Sequence, residues 1–312
     1  MLGGDGQMHQ QAGDSRVNGA MPVGKLTGTS GFRLEYLAVP PELANHVTTF
    51  YHFTCDEPEI RDIQPAAIGQ LAIIPHGIGA IHFRDGRSDP LCEVNLLTPL
   101  SVAAPFTVSG PFHAIGAALT PLGWAELTGL CASKHGNRFY CASDWLGEEI
   151  ADLGARCCTE YRAGRMSGAD CAQALGAFMA ARITALPRLH RQLIDLTTQW
   201  LMSGLDPDVE QLYAAVPYSR RQSLRLVERY FGLPPAALRR KYRALRAAAL
   251  LSQPDIEPEA EAAILNSFYD QPHLIREIRL FAGRTPARLS DEPDSFLTEM
   301  LDLKNLRELE KR

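Results

Sequence analysis

Two stretches decide the fold of this chain: Tyr218-Ser-Arg-Arg-Gln-Ser-Leu-Arg-Leu-Val-Glu-Arg-Tyr-Phe-Gly-Leu-Pro-Pro-Ala-Ala-Leu238 and Tyr269-Asp-Gln-Pro-His-Leu-Ile-Arg-Glu-Ile-Arg-Leu-Phe-Ala-Gly-Arg-Thr-Pro-Ala-Arg-Leu289. They align without a gap at an offset of 51 residues. Each opens on a Tyr and an oxygen-bearing residue (Ser219, Asp270), carries an Arg on the stretch that follows (Arg225, Arg276) and sets an aromatic near its end (Tyr230, Phe281). Both close on Gly-x-x-Pro-Ala-x-Leu, from Gly232 and from Gly283. A side-chain oxygen that accepts the free amides of a first turn, about twelve helical residues and a left-handed Gly specify one helix per copy.

A shorter helix is predicted ahead of each copy. Asp206-Pro207 is expected to cap and start Val209 to Val216, and Glu257-Pro258 to start Ala260 to Leu265. Short helix, tight turn and second helix make a helix-turn-helix unit, and the chain writes it twice. Between the units, Pro235 to Leu251 is a strong helix former with Leu238, Tyr242, Leu245 and Ala249 on one stripe and cations on the other, a rigid strut. From Pro217 to Arg246 nine cations (Arg220, Arg221, Arg225, Arg229, Arg239, Arg240, Lys241, Arg243 and Arg246) face Glu228 alone, in a chain of net charge −5. So polarised a distribution attracts phosphate backbones. A merely solvated basic face is the bland alternative, and the duplicated motif weighs against it.

The duplicated units, the linking helix, the run Tyr269 to Glu277 and the close Phe281 to Pro286 resemble the DNA-binding domain of AraC/XylS-type transcriptional regulators. The resemblance covers roughly residues 200 to 290 and implies a sequence-specific regulator that sets the second helix of each unit in adjacent major grooves, about 34 Å apart. By position it gives the first reading helix Arg220, Arg221, Leu224 and Arg225, and the second Gln271, Pro272, His273, Ile275 and Arg276. Arg221 and Arg225 share a helical face, and either can pair bidentately with a guanine edge; Gln271 can address adenine, while Pro272 and Ile275 offer shape and thymine-methyl contacts. Arg239, Arg240, Lys241 and Arg243 are expected on phosphates. The chain departs from the family where Pro217 and Ser267 replace the usual turn Gly, and where Ser223 and Val227 replace a buried Leu and Phe. A buried hydroxyl and lost aromatic volume, worth about 1 to 3 kcal/mol, predict a looser first unit.

Ahead of these units the pattern differs. Residues 1–30 read as a disordered tail, and the opening residues show neither the basic segment nor the apolar core of a secretory signal. Phe32–Val39, Val47–Thr54, Gly69–Ile74, Gly79–Phe83, Val94–Leu97, Phe106–Ser109 and His113–Leu119 read as short strands, with a tight turn at Arg84 to Arg87. This region, residues 31–143, resembles the cupin-like antiparallel β-barrel of AraC-type regulators, which binds an effector, forms a dimer, or both. The segment Gly110 to Trp124, with a Thr120-capped helix, is the most similar part. Helices are predicted from Asp144 as a cap, from Ser167 and from Pro187 over residues 144–203, a linker and dimerisation region. Residues 204–290 form the double helix-turn-helix domain, and residues 291–312 a tail with a helix from Phe296 to Lys311. The expected class is α+β multidomain, with a cupin-like barrel or sandwich, a helical linker and an all-α C-terminal domain. No apolar run of membrane-spanning length appears, and a cytoplasmic protein is expected. Partners implied by the resemblance are double-stranded DNA, a small-molecule effector, RNA polymerase and a second copy of the chain.

Enzymatic and cofactor chemistry finds little support. No nucleophile elbow, phosphate loop or dinucleotide fingerprint is present, so neither an enzyme nor a bound cofactor is expected. The seven Cys lie between Cys55 and Cys171, odd in number and without a Cys-x-x-Cys pair, so disulfides are not expected; Cys131, Cys141 and Cys157-Cys158 are the thiols considered for redox sensing. His76, His82 and His113 fall near strands but lack metal-ligand spacing, and no metal is expected. An effector pocket would draw on Phe50, Phe53, Ile73, Phe83 and Trp124, with plain core filling the preferred reading. The competing function is a ligand-binding or protein-interaction module whose helix-turn-helix has lost DNA affinity, as Pro217, Ser223 and Val227 would allow.

Overall fold

Runs of alternating inward and outward residues build an antiparallel sheet from β1 (Phe32–Leu37), β2 (Val47–Cys55), β3 (Glu59–Gln64), β4 (Gln70–His82), β5 (Ser88–Pro90), β6 (Val94–Leu97), β7 (Ala104–Leu119) and β8 (Phe139–Cys141). The structure is a computed structural model and describes residues 31–253 and 256–291. The expected tail over residues 1–30 and the helix from Phe296 to Lys311 lie outside the described residues. One hydrogen-bonded path runs β1-β2-β7-β4-β6-β8, with β3 on β7 and β5 on β4. Strand β7 pairs through its first half with β3 and through its second with β2. The expected strand pairs 69–74 with 79–83, and 106–109 with 113–119, are therefore each one long strand. Register shifts around His76 bend β4 where the sequence reads as a break. Strand β3 escapes the sequence reading because two of its inward residues, Asp62 and Gln64, are polar.

The two faces of the sheet meet different layers. Phe53, Ile74, Val108 and Ala114 turn to an interior cavity, while Phe50, Leu71, Ile73, Ile115 and Ala117 turn outward to helices. Those helices follow α1 (Pro121–Thr128) and α2 (Ala132–His135): α3 (Ser143–Leu146), α4 (Glu148–Arg162) and α5 (Gly168–Arg182). Thr120 caps α1 by accepting the Gly123 amide at 2.9 Å, as the sequence predicts. Asp144 is not a cap; it lies inside α3, and Gly147 separates α3 from α4. Ser167 and Asp170 form a reciprocal capping box at the start of α5.

Two cysteines overturn the expectation of reduced thiols. Cys92 and Cys141 form a disulfide, with Cα atoms 5.5 Å apart. Asn95 pairs with Cys141 in the β6–β8 register, and its amide group holds the backbone N–H and C=O of Cys92. The partners meet because strands bring together residues 49 apart in sequence, which no local spacing reveals.

After α6 (Arg188–Met202) come α7 (Val209–Ala215), α8 (Arg220–Phe231), α9 (Pro235–Leu251), α10 (Pro258–Asn266), α11 (Gln271–Phe281) and α12 (Pro286–Asp291). They share one apolar core with part of the sheet region: Ile81, Phe83, Leu97 and Leu100 join Phe231, Tyr242, Leu245 and Phe281. Each large apolar side chain so buried contributes about 1.5 to 3 kcal/mol. For the residues weighed as an effector lining, the alternation of the strands gives core filling, the preferred reading, in all but one case. Of the residues named, only Phe53 reaches the interior cavity; Phe50, Ile73 and Trp124 pack beneath the helices, and Phe83 packs toward the C-terminal units.

Candidate DNA interface

Local chemistry fixes both units. In the first, Asp208, rather than Asp206, caps α7 by accepting the Glu210 amide. Ser219 and Gln222 form a capping box at the start of α8, and Gly232, at φ 82°, ends it. In the second, Asp270 accepts the His273 amide at 2.7 Å to start α11, and Gly283, at φ 94°, follows its last turn. Left-handed backbone at these two positions is the reason both copies carry Gly there.

The two second helices present matching faces. Helix α8 buries Ser223, Leu226, Val227, Tyr230 and Phe231, leaving Arg220, Arg221, Leu224 and Arg225 exposed. Helix α11 buries Leu274, Glu277, Ile278 and Phe281, leaving Gln271, Pro272, Ile275 and Arg276 exposed. Leu224 (38% exposed) and Ile275 (37%) stand at equivalent positions, each followed by an Arg. Among the described residues Arg221, Arg225 and Arg276 form no ion pair, whereas Arg220 is held by Glu210 at 2.8 Å. His273 is only half exposed and turns to Glu277, Nε2 to Oε1 at 3.1 Å.

The expected packing weakness of the first unit is offset. The Ser223 hydroxyl donates to the Ser219 carbonyl at 3.0 Å, so its burial leaves no polar group unsatisfied, and Val227 is fully buried. His190 Nδ1 and the Tyr230 hydroxyl lie 2.6 Å apart and tie α8 to α6.

Helix α9 corrects the expectation for phosphate contacts. It is buried on most sides rather than along one stripe. The Lys241 side chain is 1% exposed, and its ammonium donates to the Leu100 carbonyl at 2.9 Å and the Ala67 carbonyl at 3.5 Å, both in the sheet region. Arg243 is equally enclosed, donating to Glu277 at 2.8 Å and to the Ser267 carbonyl at 3.0 Å. Neither faces solvent, so neither is placed to meet a phosphate. Arg239 pairs with Asp206, and Arg240, half exposed, with Glu277. Burial alone would raise the Glu277 carboxyl's pKa; the hydrogen bonds from Arg243 and Arg240 outweigh it and hold it below the ordinary carboxylate value.

Sequence reasoning missed the groups that dock the second unit on the sheet region. The Arg284 guanidinium donates to the buried Asp62 carboxylate at 3.0 Å. The amides of Ala66 and Ala103 donate to the carbonyls of Phe281 and Leu280, at 2.8 and 3.0 Å. Gly283 lies directly against Ile63, where a Cβ would collide. No apolar alternation announces this strand, because two of its three buried positions, Asp62 and Gln64, are polar.

Paired helix-turn-helix units with open, arginine-bearing second helices define the C-terminal part as a DNA-binding module. Residues 212–292 match a family model described as a helix-turn-helix domain, and this part of the chain is a helix-turn-helix domain of the AraC type. No curated protein matches the chain. Among solved structures, ToxT from Vibrio cholerae O395 is similar at 10% identity over 84% of this chain and 98% of that one, with a TM-score of 0.43. Unsaturated fatty acid bound wild-type ToxT from Vibrio cholerae strain SCE256 is similar at 10% identity over 86% and 98%, with a TM-score of 0.44. Among the described residues no helix is long and apolar enough to cross a membrane.

Proposed function

We propose that the chain is a cytoplasmic, sequence-specific transcription regulator that reads DNA with α8 and α11, under control of a small molecule bound within the sheet region. Base reading falls first to Arg221, Arg225 and Arg276, with Arg220, Leu224, Gln271, Pro272, His273 and Ile275 completing the two faces. Arg239, partly exposed, and Arg240, half exposed, take phosphates by exchanging their carboxylate partners. Residues 31–143 sense the effector, residues 144–203 pair two copies, and residues 204–290 bind DNA, with RNA polymerase a further partner of the chain. The observation that carries the reading is the repeated pair Leu224-Arg225 and Ile275-Arg276, exposed at one offset on two equivalently capped helices.

Selection of bound DNA from a random library, with the purified full chain at two salt concentrations, tests it. The expected outcome is an enriched sequence with two half-sites about one helical turn apart, whose binding weakens steeply with salt. Enrichment of nothing over random DNA would refute DNA reading and leave a ligand-binding or protein-interaction module.

A further inference from the structure

We propose that the effector of this regulator is an uncharged, single-ring aromatic molecule bearing one hydrogen-bond acceptor, held inside the sheet with that acceptor on Gln64 Nε2, and that β3 carries its presence to the second helix-turn-helix unit. The inference rests on the regulator reading and specifies the ligand and the route.

The cavity is about 90 Å³ and is walled by Phe53, Phe106, Phe112 and Phe139, with Leu34 and Ile74 among the aliphatic neighbours. That is smaller than the apolar cavities of about 150 Å³ that stay dry and accept benzene, so this space admits one ring at most, with the side chains around it giving way to seat it. No Lys, Arg, His, Asp or Glu is among the described residues that line it. A carboxylate, phosphate or ammonium would enter without a counter-charge, which disfavours ionic ligands. Burial also pushes the Tyr51 hydroxyl's pKa up, and that hydroxyl donates to Gln70 Oε1 at 3.0 Å, so the Tyr51–Gln70 pair is neutral and internally satisfied. Gln64 differs. It is buried, lines the same cavity, and its Nε2 finds no acceptor among the described residues. A buried amide donor without a partner favours whatever brings it one.

The route follows from strand periodicity. Gln64 and Asp62 are two apart on β3 and face the same side. Asp62 is the buried partner of Arg284 at 3.0 Å. Ile63 packs on Gly283, and two residues beyond Gln64 the Ala66 amide holds the Phe281 carbonyl at 2.8 Å. A ligand that re-seats Gln64 therefore pulls on the strand that anchors the end of α11.

Calorimetric titration and thermal shift of the full chain with phenol, toluene and benzoate test the ligand class, and gel shift on library-selected DNA with and without phenol tests the route. Phenol is expected to bind roughly tenfold more tightly than toluene, and benzoate not to bind. Gln64→Leu should abolish the preference for phenol while toluene still binds; this variant also relieves an unpartnered amide, so it should fold at least as stably as the parent. Phenol should change the affinity for DNA severalfold in the parent and not in Gln64→Leu. Benzoate binding as well as phenol, a phenol preference that survives Gln64→Leu, or no probe binding at all would overturn the ligand class. Phenol binding without any change in DNA affinity would overturn the route. DNA binding with no probe bound leaves the regulator reading standing alone, whereas Gln64-dependent phenol binding without DNA binding does the reverse.

Discussion

At the level of single residues, charge type alone does not separate readers from structural groups; burial and pairing do. Arg276 is exposed and unpaired among the described residues, whereas Lys241, on the helix that follows the first reading helix, is enclosed against the sheet region. Arg276→Ala is expected to weaken binding to the selected DNA by about 1 to 3 kcal/mol while leaving binding to random DNA nearly unchanged. Competition gel shifts check it, and equal loss on both DNAs would remove Arg276 from base reading. Lys241→Met behaves otherwise. It strips the buried Leu100 carbonyl of its charged donor, while the Ala67 carbonyl keeps the Leu100 amide, so it should lower stability by roughly 1 to 3 kcal/mol in denaturant titration, with the salt slope of DNA binding unaltered in the folded fraction. A flattened salt slope at parental stability would restore Lys241 to the phosphate set. Sequence shows that Lys241 is cationic; the acceptors that claim it, Ala67 and Leu100, lie far from it along the chain and become neighbours only through tertiary packing.

Elements whose rules are local were readable in the sequence, and elements whose partners are distant were not. The caps at Ser219, Asp270, Thr120 and Ser167 and the left-handed Gly232 follow from residue types a few positions apart. The polar strand β3 and the disulfide between Cys92 and Cys141 depend on pairing across the sheet. Helix α9 stands between these cases: its limits are those the sequence predicts, but its cations turn inward because α11 supplies Glu277 and the segment before α7 supplies Asp206. This carboxylate hub makes the link between α9 and α11 acid-sensitive. The Glu277 carboxyl titrates below its ordinary value in the folded chain, so its contribution is complete above the ordinary carboxylate range and is lost as pH falls through the folded value. Thermal unfolding from pH 7 to 3 should show the parent losing its advantage over Glu277→Gln as the pH drops below about 4.5. A stability gap that stays constant to pH 3 would show that the pairs with Arg240, Arg243 and His273 do not depend on a carboxylate.

Across the whole molecule, the sheet region and the C-terminal helices are coupled rather than strung together, because one apolar core runs through both and a buried ion pair crosses between them. That pair, Asp62 with Arg284, is nearly inaccessible on both sides. Its attraction is set against the desolvation of two charges, so its net worth is small, yet removing one partner takes this counter-charge from a buried ion. Asp62→Leu or Arg284→Met alone should therefore cost about 3 to 5 kcal/mol, and the double substitution much less than the sum. If the coupling holds, the parent should unfold in a single transition seen alike by near-ultraviolet and far-ultraviolet dichroism. Each single variant should split that transition, the C-terminal helices melting first, because α11 is held on the sheet region by this pair and by the Ala66 and Ala103 amides. Additive losses in the double variant, or single variants that melt with the parent, would mean that Asp62 and Arg284 do not meet in solution, and that the second helix-turn-helix unit moves freely of the sheet region.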